Sequence, residues 1–236
     1  MVSLYDTGGY RGYKKPYPFT SVVKNGLVMF LDAGDTASYA GTGTTWVDLS
    51  GSGINVTLAN TTYTTDSGGG IVFKSGSSGT SSASVNFSGG GFTISLWIRH
   101  TGTVSTARVQ RYLTTVASST EGPVIRHNSS SAASLQGFVF DTGNTLRTVD
   151  VADQVYTATY SNFVYAYNGS VSTIYNNAIS VGTLSLSFTL PTPTTIQLSS
   201  TEFFEGNMYL VKYYNRGLSD AEVTQNFNAF RARFFV

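Results

Sequence analysis

The sequence predicts an all-β fold: a sandwich of two antiparallel sheets, with one C-terminal helix and an extended N-terminal arm. Three observations predict it. Serine, threonine and glycine together make up 87 of the 236 residues, and charged residues only 11%. That composition suits strands and turns and excludes a helical bundle, which would be rich in Ala, Glu, Lys and Leu. Short apolar or alternating runs recur between turn signals at the spacing of a sandwich. One segment alone, near the C-terminus, carries helix-start chemistry.

Residues 1–25 form the arm and residues 26–236 the sandwich domain. The arm holds four basic residues and one acid, a net +3, whereas the other 211 residues carry ten basic and twelve acidic, a net −2. Pro16 and Pro18 press their predecessors towards extended geometry. Tyr5, Tyr10, Arg11, Tyr13, Lys14, Lys15, Tyr17 and Phe19 are its candidate partner-binding residues. Aromatics and arginine are the residue types enriched at interfaces. Two readings stand: an attachment segment for a partner, which is favoured, or a strap packed on its own domain.

Strands are expected at residues 27–31 (LVMFL), 71–73, 92–99 (FTISLWIR), 137–141, 154–160, 163–167, 171–175 and 203–214. The dipeptide Asn168-Gly169 marks a tight hairpin. The helix is expected from Ser219 to about Arg233. Ser219 and Glu222 have capping-box spacing, with Leu218 and Val223 placed for a hydrophobic staple. Val223, Phe227, Phe230 and Phe234 make one apolar stripe, which predicts a helix laid on its own sandwich. Trp97 and Trp46 read as core.

Several stretches together resemble the laminin G-like members of the concanavalin A-like lectin/glucanase superfamily, of the kind found in bacteriophage virion proteins. They are residues 26–35 (GLVMFLDAGD) with Trp46 and Asp48, residues 92–98, residues 165–169 with 174–177, and residues 204–222 leading into the helix. The resemblance implies a jelly roll whose first and last strands are neighbours. It does not by itself fix a function, because this fold hosts lectins, glycosidases, adhesion modules and virion parts.

Glycosidases need two carboxylates flanking the scissile bond, and relatives with that activity set them on one strand face as Glu-x-Asp-x-x-Glu. The nearest candidate, Glu202 and Glu205, lacks the central Asp, and an offset of three puts the glutamates on opposite faces of a strand. A non-enzymatic protein is therefore expected, with no catalytic residue. His100 and His127, the only histidines, show no zinc-ligand spacing in sequence. Calcium is the one cation the loops would take, through Asp32, Asp35 and Asp48; no other cofactor is expected. Tyrosines are abundant, but no position stands out as a sugar platform.

A net charge of +1 leaves no broad basic surface for nucleic acid. No apolar run reaches membrane-spanning length, and the N-terminus lacks a signal-peptide pattern. The expected function is a virion structural protein, either a capsid decoration or a tail or fibre appendage of a bacteriophage. It would be assembled in the host cytoplasm in multiple copies or as a homo-oligomer, contacting other virion proteins and a cell-surface glycan. The alternatives are a carbohydrate-binding module and, further off, a glycoside hydrolase.

Overall fold

The computed structural model describes residues 22–87, 90–102, 108–117, 121–128, 134–199 and 202–236. The arm residues Tyr5, Tyr10, Arg11, Tyr13, Lys14, Lys15, Tyr17 and Phe19 lie outside the described residues.

In chain order the strands are β1 (Leu27–Asp32), β2 (Thr45–Trp46), β3 (Val56–Ala59), β4 (Thr62–Thr64), β5 (Gly70–Phe73), β6 (Ser78–Ser81), β7 (Phe92–His100) and β8 (Gln110–Ala117). They continue as β9 (Glu121–Asn128), β10 (Ser134–Phe140), β11 (Leu146–Val151), β12 (Tyr160–Tyr167), β13 (Val171–Asn176), β14 (Ile179–Ser185), β15 (Pro193–Leu198) and β16 (Gly206–Tyr214). The helix α1 (Asp220–Asn228) follows. One eight-stranded sheet runs β14-β13-β12-β7-β16-β5-β4, with β1 also paired to β16. The other runs β11-β10-β9-β8-β15-β6-β3-β2. Every pairing between these strands is antiparallel, and β1 meets β16 as the jelly-roll resemblance implies.

Strand β7 shows how the sequence divides its two faces. Phe92, Ile94, Leu96 and Ile98 enter the core between the sheets, while Trp97 points to the other side, under the helix. This is the period-two alternation of a strand with both faces covered. On β10 the core face carries Leu135 and then Gly137, where the Tyr165 ring would lie 2.6 Å from a Cβ at its nearest atom.

The Ser219–Glu222 capping box forms, with Ser219 accepting from the Glu222 backbone and the Glu222 side chain accepting in return. Arg216 pairs with the Glu222 carboxylate at 2.5 Å. That pairing, more than any other contact, holds the carboxyl down at about 2. Val223, Phe227, Phe230 and Phe234 are all buried against the first sheet. Trp97 is stacked between Phe227 (5.4 Å) and Phe234 (4.3 Å). The α-helix ends at Asn228, earlier than expected, and a 3-10 turn over Arg231–Arg233 completes the segment. Residues 154–159 form no named strand; β12 begins only at Tyr160.

Candidate functional site

The three aspartates whose loops were expected to take calcium are each engaged separately. Asp32 is buried at the end of β1, where its Oδ1 meets the Arg233 guanidinium at 2.7 Å and accepts the Gly34 N–H at 2.9 Å. Asp48 takes four donors: the Phe30 N–H, the Ser50 N–H and hydroxyl, and the Ile54 N–H. Asp35 accepts the Ala37 N–H in an exposed turn. Among the described residues no three His, Cys, Asp or Glu side chains converge as a metal set. Carboxylates in glycine-rich loops close their own turns here, and a cation at Asp32 would have to displace a buried guanidinium.

Glu202 and Glu205 lie ahead of β16 and are held by different arginines. Glu202 meets Arg111 at 2.5 Å and Arg126 at 3.3 Å, and Glu205 meets Arg108 at 2.6 Å. Each carboxylate is thus tied into an ion pair with its own arginine, and the two do not converge on one open space.

The histidines are neighbours, which their sequence separation concealed. They lie at the ends of β7 and β9 with ring centroids 6.5 Å apart. His100 Nε2 shares a hydrogen bond of 2.8 Å with the Tyr112 hydroxyl, and His127 Nδ1 lies 3.0 Å from the Ser134 carbonyl oxygen. Burial, reinforced by His127, drives the His100 pKa down to about 3. His100 is therefore a neutral imidazole inside the sandwich.

The outer face of the second sheet carries a row of polar side chains in register. Arg111 opposes Arg126 across β8 and β9, Arg126 opposes Gln136 on β10, and Gln136 opposes Asp150 on β11. Arg111 also pairs with Glu121. Arg126 donates to Gln136 at 2.7 Å, and Gln136 donates to Asp150 at 3.1 Å. Both guanidiniums cover the Phe138 ring, Arg126 at 4.7 Å from its centroid. Burial would lower the Arg111 pKa, but bonds and charge from Glu121 and Glu202 outweigh it and raise it. Arg126 is lowered, by burial first and by Arg111 next. The row is paired within itself, its arginines largely covered and its carboxylates reaching solvent at the ends.

An open concavity lies elsewhere, at one end of the sandwich. A groove of about 820 Å³ runs between residues 84–87 with Gly90 and residues 188–192. Each wall is a crossover from one sheet to the other. Phe87 packs against Phe92 and Tyr213. Phe188 stacks on Tyr167 at 4.1 Å. Both remain half-exposed. Gly91, behind the groove, has no room for a Cβ, since the Tyr167 carbonyl oxygen would lie 2.3 Å away. Sequence reading missed this site because neither phenylalanine has a motif around it. A charge-free flanking sequence was the available signal.

The fold and these surfaces define a lectin-like β-sandwich. Residues 73–224 match the concanavalin A-like lectin/glucanases superfamily in its laminin G form, and the chain belongs to that family. No curated protein matches the sequence. Among solved structures, the chain is similar to the binding domain of Botulinum Neurotoxin DC in complex with SialylT, at TM-score 0.69 and 15% identity, covering 88% of this chain and 52% of that one. It is also similar to the binding domain of Paraclostridial Mosquitocidal Protein 1, at 0.67 and 17%, covering 88% and 53%. The receptor binding domain of botulinum neurotoxin C/D mosaic serotype gives 0.67 and 12%, covering 87% and 52%. The chain thus spans about half the length of these structures, and identities this low speak to fold alone.

Proposed function

We propose that the chain is a non-enzymatic recognition domain carried on the outside of a bacteriophage particle, as a capsid decoration or a tail or fibre appendage. In this reading residues 1–25 attach it to other virion proteins, and the sandwich faces a cell-surface glycan. One observation carries the recognition role. The glutamates nearest to a hydrolase pattern are each bound to arginine, while the sandwich end offers an open groove of aromatic and hydroxyl side chains. The arm's net +3 on a body of −2 supports attachment through the arm. Membership of a superfamily that includes lectins supports the glycan.

The test is made on intact particles. Antibody raised against the purified domain is expected to label undenatured virions, and deletion of residues 2–22 should leave a folded domain that no longer joins them. The same domain is expected to compete with particles for adsorption to host cells and to release no sugar from a polysaccharide panel. Absence of the chain from purified particles overturns the virion role. Turnover lost on Glu202→Gln overturns the non-enzymatic one.

A further inference from the structure

We propose that the groove at the sandwich end is a binding site for neutral saccharides, with Phe87 and Phe188 as its stacking surfaces and Asn86 and Thr189 as hydrogen-bonding groups. The inference rests on the glycan-recognition reading above, and adds the place of the site and the class of sugar.

Charge comes first. No ionisable acid or base lines the groove. Its two walls come from the longest charge-free stretches of the sequence, residues 75–98 and residues 154–201, neither of which contains Asp, Glu, Lys, Arg or His. A span of 48 such residues in a chain that is 11% charged sets this end apart from the arginine-laced outer face of the second sheet. The charged pair Asp141 with Arg147, at 2.7 Å, is closed on itself. It lies next to Thr142, whose N–H donates to the Thr189 carbonyl. A carboxylated or sulfated sugar entering here would lose hydration and meet no cation, which is costly. A neutral sugar loses much less.

Chemistry comes second. A pyranose offers an apolar C–H face and a rim of hydroxyls. Half-exposed Phe87 and Phe188 provide flat apolar area for the face. The exposed Asn86 amide offers two donors and an acceptor, and the exposed Thr189 hydroxyl both donates and accepts. This matches the general form of small-ligand sites, apolar walls with a few polar groups that fix orientation.

Rigidity comes third. The Tyr167 hydroxyl donates to the Phe188 carbonyl at 3.0 Å and accepts the Phe188 N–H at 2.9 Å, so one buried side chain clamps the loop at its stacking residue. Leu186 N–H donates to Ser170, and Gly90 N–H donates to Phe87, fixing both walls. A site held open before binding spends less of its interaction energy on ordering.

The experiment uses an array bearing lactose, maltotetraose, cellotetraose and chitotetraose beside sialyllactose and sulfated lactose. Saturation-transfer NMR with the soluble protein follows. Neutral glycans are expected to bind and their anionic forms to bind less. Phe188→Ser is expected to weaken binding about tenfold, the scale of one lost aromatic contact. Because that change also touches the buried Tyr167, Asn86→Asp is the second variant. It lies at an exposed position and is expected to reduce binding with the melting temperature unchanged. If neutral glycans bind equally well to both variants, the groove is not the site and the recognition reading stands. If only the anionic glycans bind, the sugar class is wrong. If nothing on the array binds, and the protein instead self-associates through this end or captures an apolar peptide there, the glycan reading fails and this inference with it.

Discussion

Lys212→Met is expected to stabilise the protein at neutral pH and to flatten its pH dependence. Lys212 lies on β16 under the helix, wholly buried, with no hydrogen-bond partner for Nζ. The charged groups that act on it are Asp32, which favours its proton, and Arg233, which opposes it. Burial dominates and lowers its pKa from 10.5 to about 7. A shift of that size corresponds to about 5 kcal/mol at about 1.4 kcal/mol per unit. The ammonium also faces Phe230 at 4.5 Å and Phe30 at 5.7 Å. Two cation–π contacts of about 1 kcal/mol each favour the charged form and reduce the net cost to about 3 kcal/mol. The folded chain releases this proton near pH 7 and the unfolded chain near 10.5. The unfolded state therefore holds more protons between those values, and wild-type stability rises with pH across that window. Urea unfolding of both proteins at pH 6.5, 8 and 10 measures it. The variant should lead by about 3 kcal/mol at pH 6.5, at about 2–4 °C of melting temperature per kcal/mol for a chain of this size. Most of that lead should be gone at pH 10. Tyrosine ionisation affects both proteins alike and cancels in the difference. A lead that stays constant with pH, or a variant less stable at pH 6.5, refutes the reasoning.

Asp32→Asn should cost about 3–5 kcal/mol in chemical denaturation, since it leaves Arg233 buried beside Lys212 without a counter-charge; a loss under 1 kcal/mol would mean the pair is solvated. Ser219→Ala should cost about 1 kcal/mol through the lost cap, read as a shift in urea midpoint at constant slope. His100 should still show a neutral imidazole by nitrogen NMR at pH 5, because it protonates only near 3 when folded. Below about 6.5 the unfolded chain takes up that proton first, so stability falls with acidification at up to about 1.4 kcal/mol per unit; titration with a midpoint near 6.5 would contradict this. Millimolar calcium and excess chelator should give the same melting temperature, given the engaged carboxylates of Asp32 and Asp48, and a rise with calcium would show a site in these loops.

The elements legible in the sequence are those whose chemistry is local. The Ser219–Glu222 box, the Asn168-Gly169 turn and the alternation along residues 92–98 each contain their own signal within a few residues. The strands β8, β9, β11 and β15 were not singled out, because their outward positions are threonine, arginine and glutamine rather than an alternating apolar run. The His100–Tyr112–His127 cluster and the in-register row from Arg111 to Asp150 were hidden because they exist only through strand pairing. The pairing of Asp32 was not legible for a related reason. Its partner Arg233 is 201 residues away, and nothing near either residue announces the other. The groove was invisible because Phe87 and Phe188 come from two loops a hundred residues apart.

The place of β16 has a consequence for how the chain comes to exist. This strand pairs with β7, β5 and β1 at once, so the middle of the first sheet is the last strand made. Until residue 214 has been synthesised, β7 lacks a neighbour on one side, and β1 and β5 lack the strand that joins them to the sheet. A nascent chain would present unpaired apolar edges for most of its synthesis, the condition in which aggregation competes with folding. Folding must then wait for contacts of very long sequence separation, which slows it. Dependence on a chaperone during translation, and rapid loss of C-terminally truncated products to proteolysis, follow from this one strand's position.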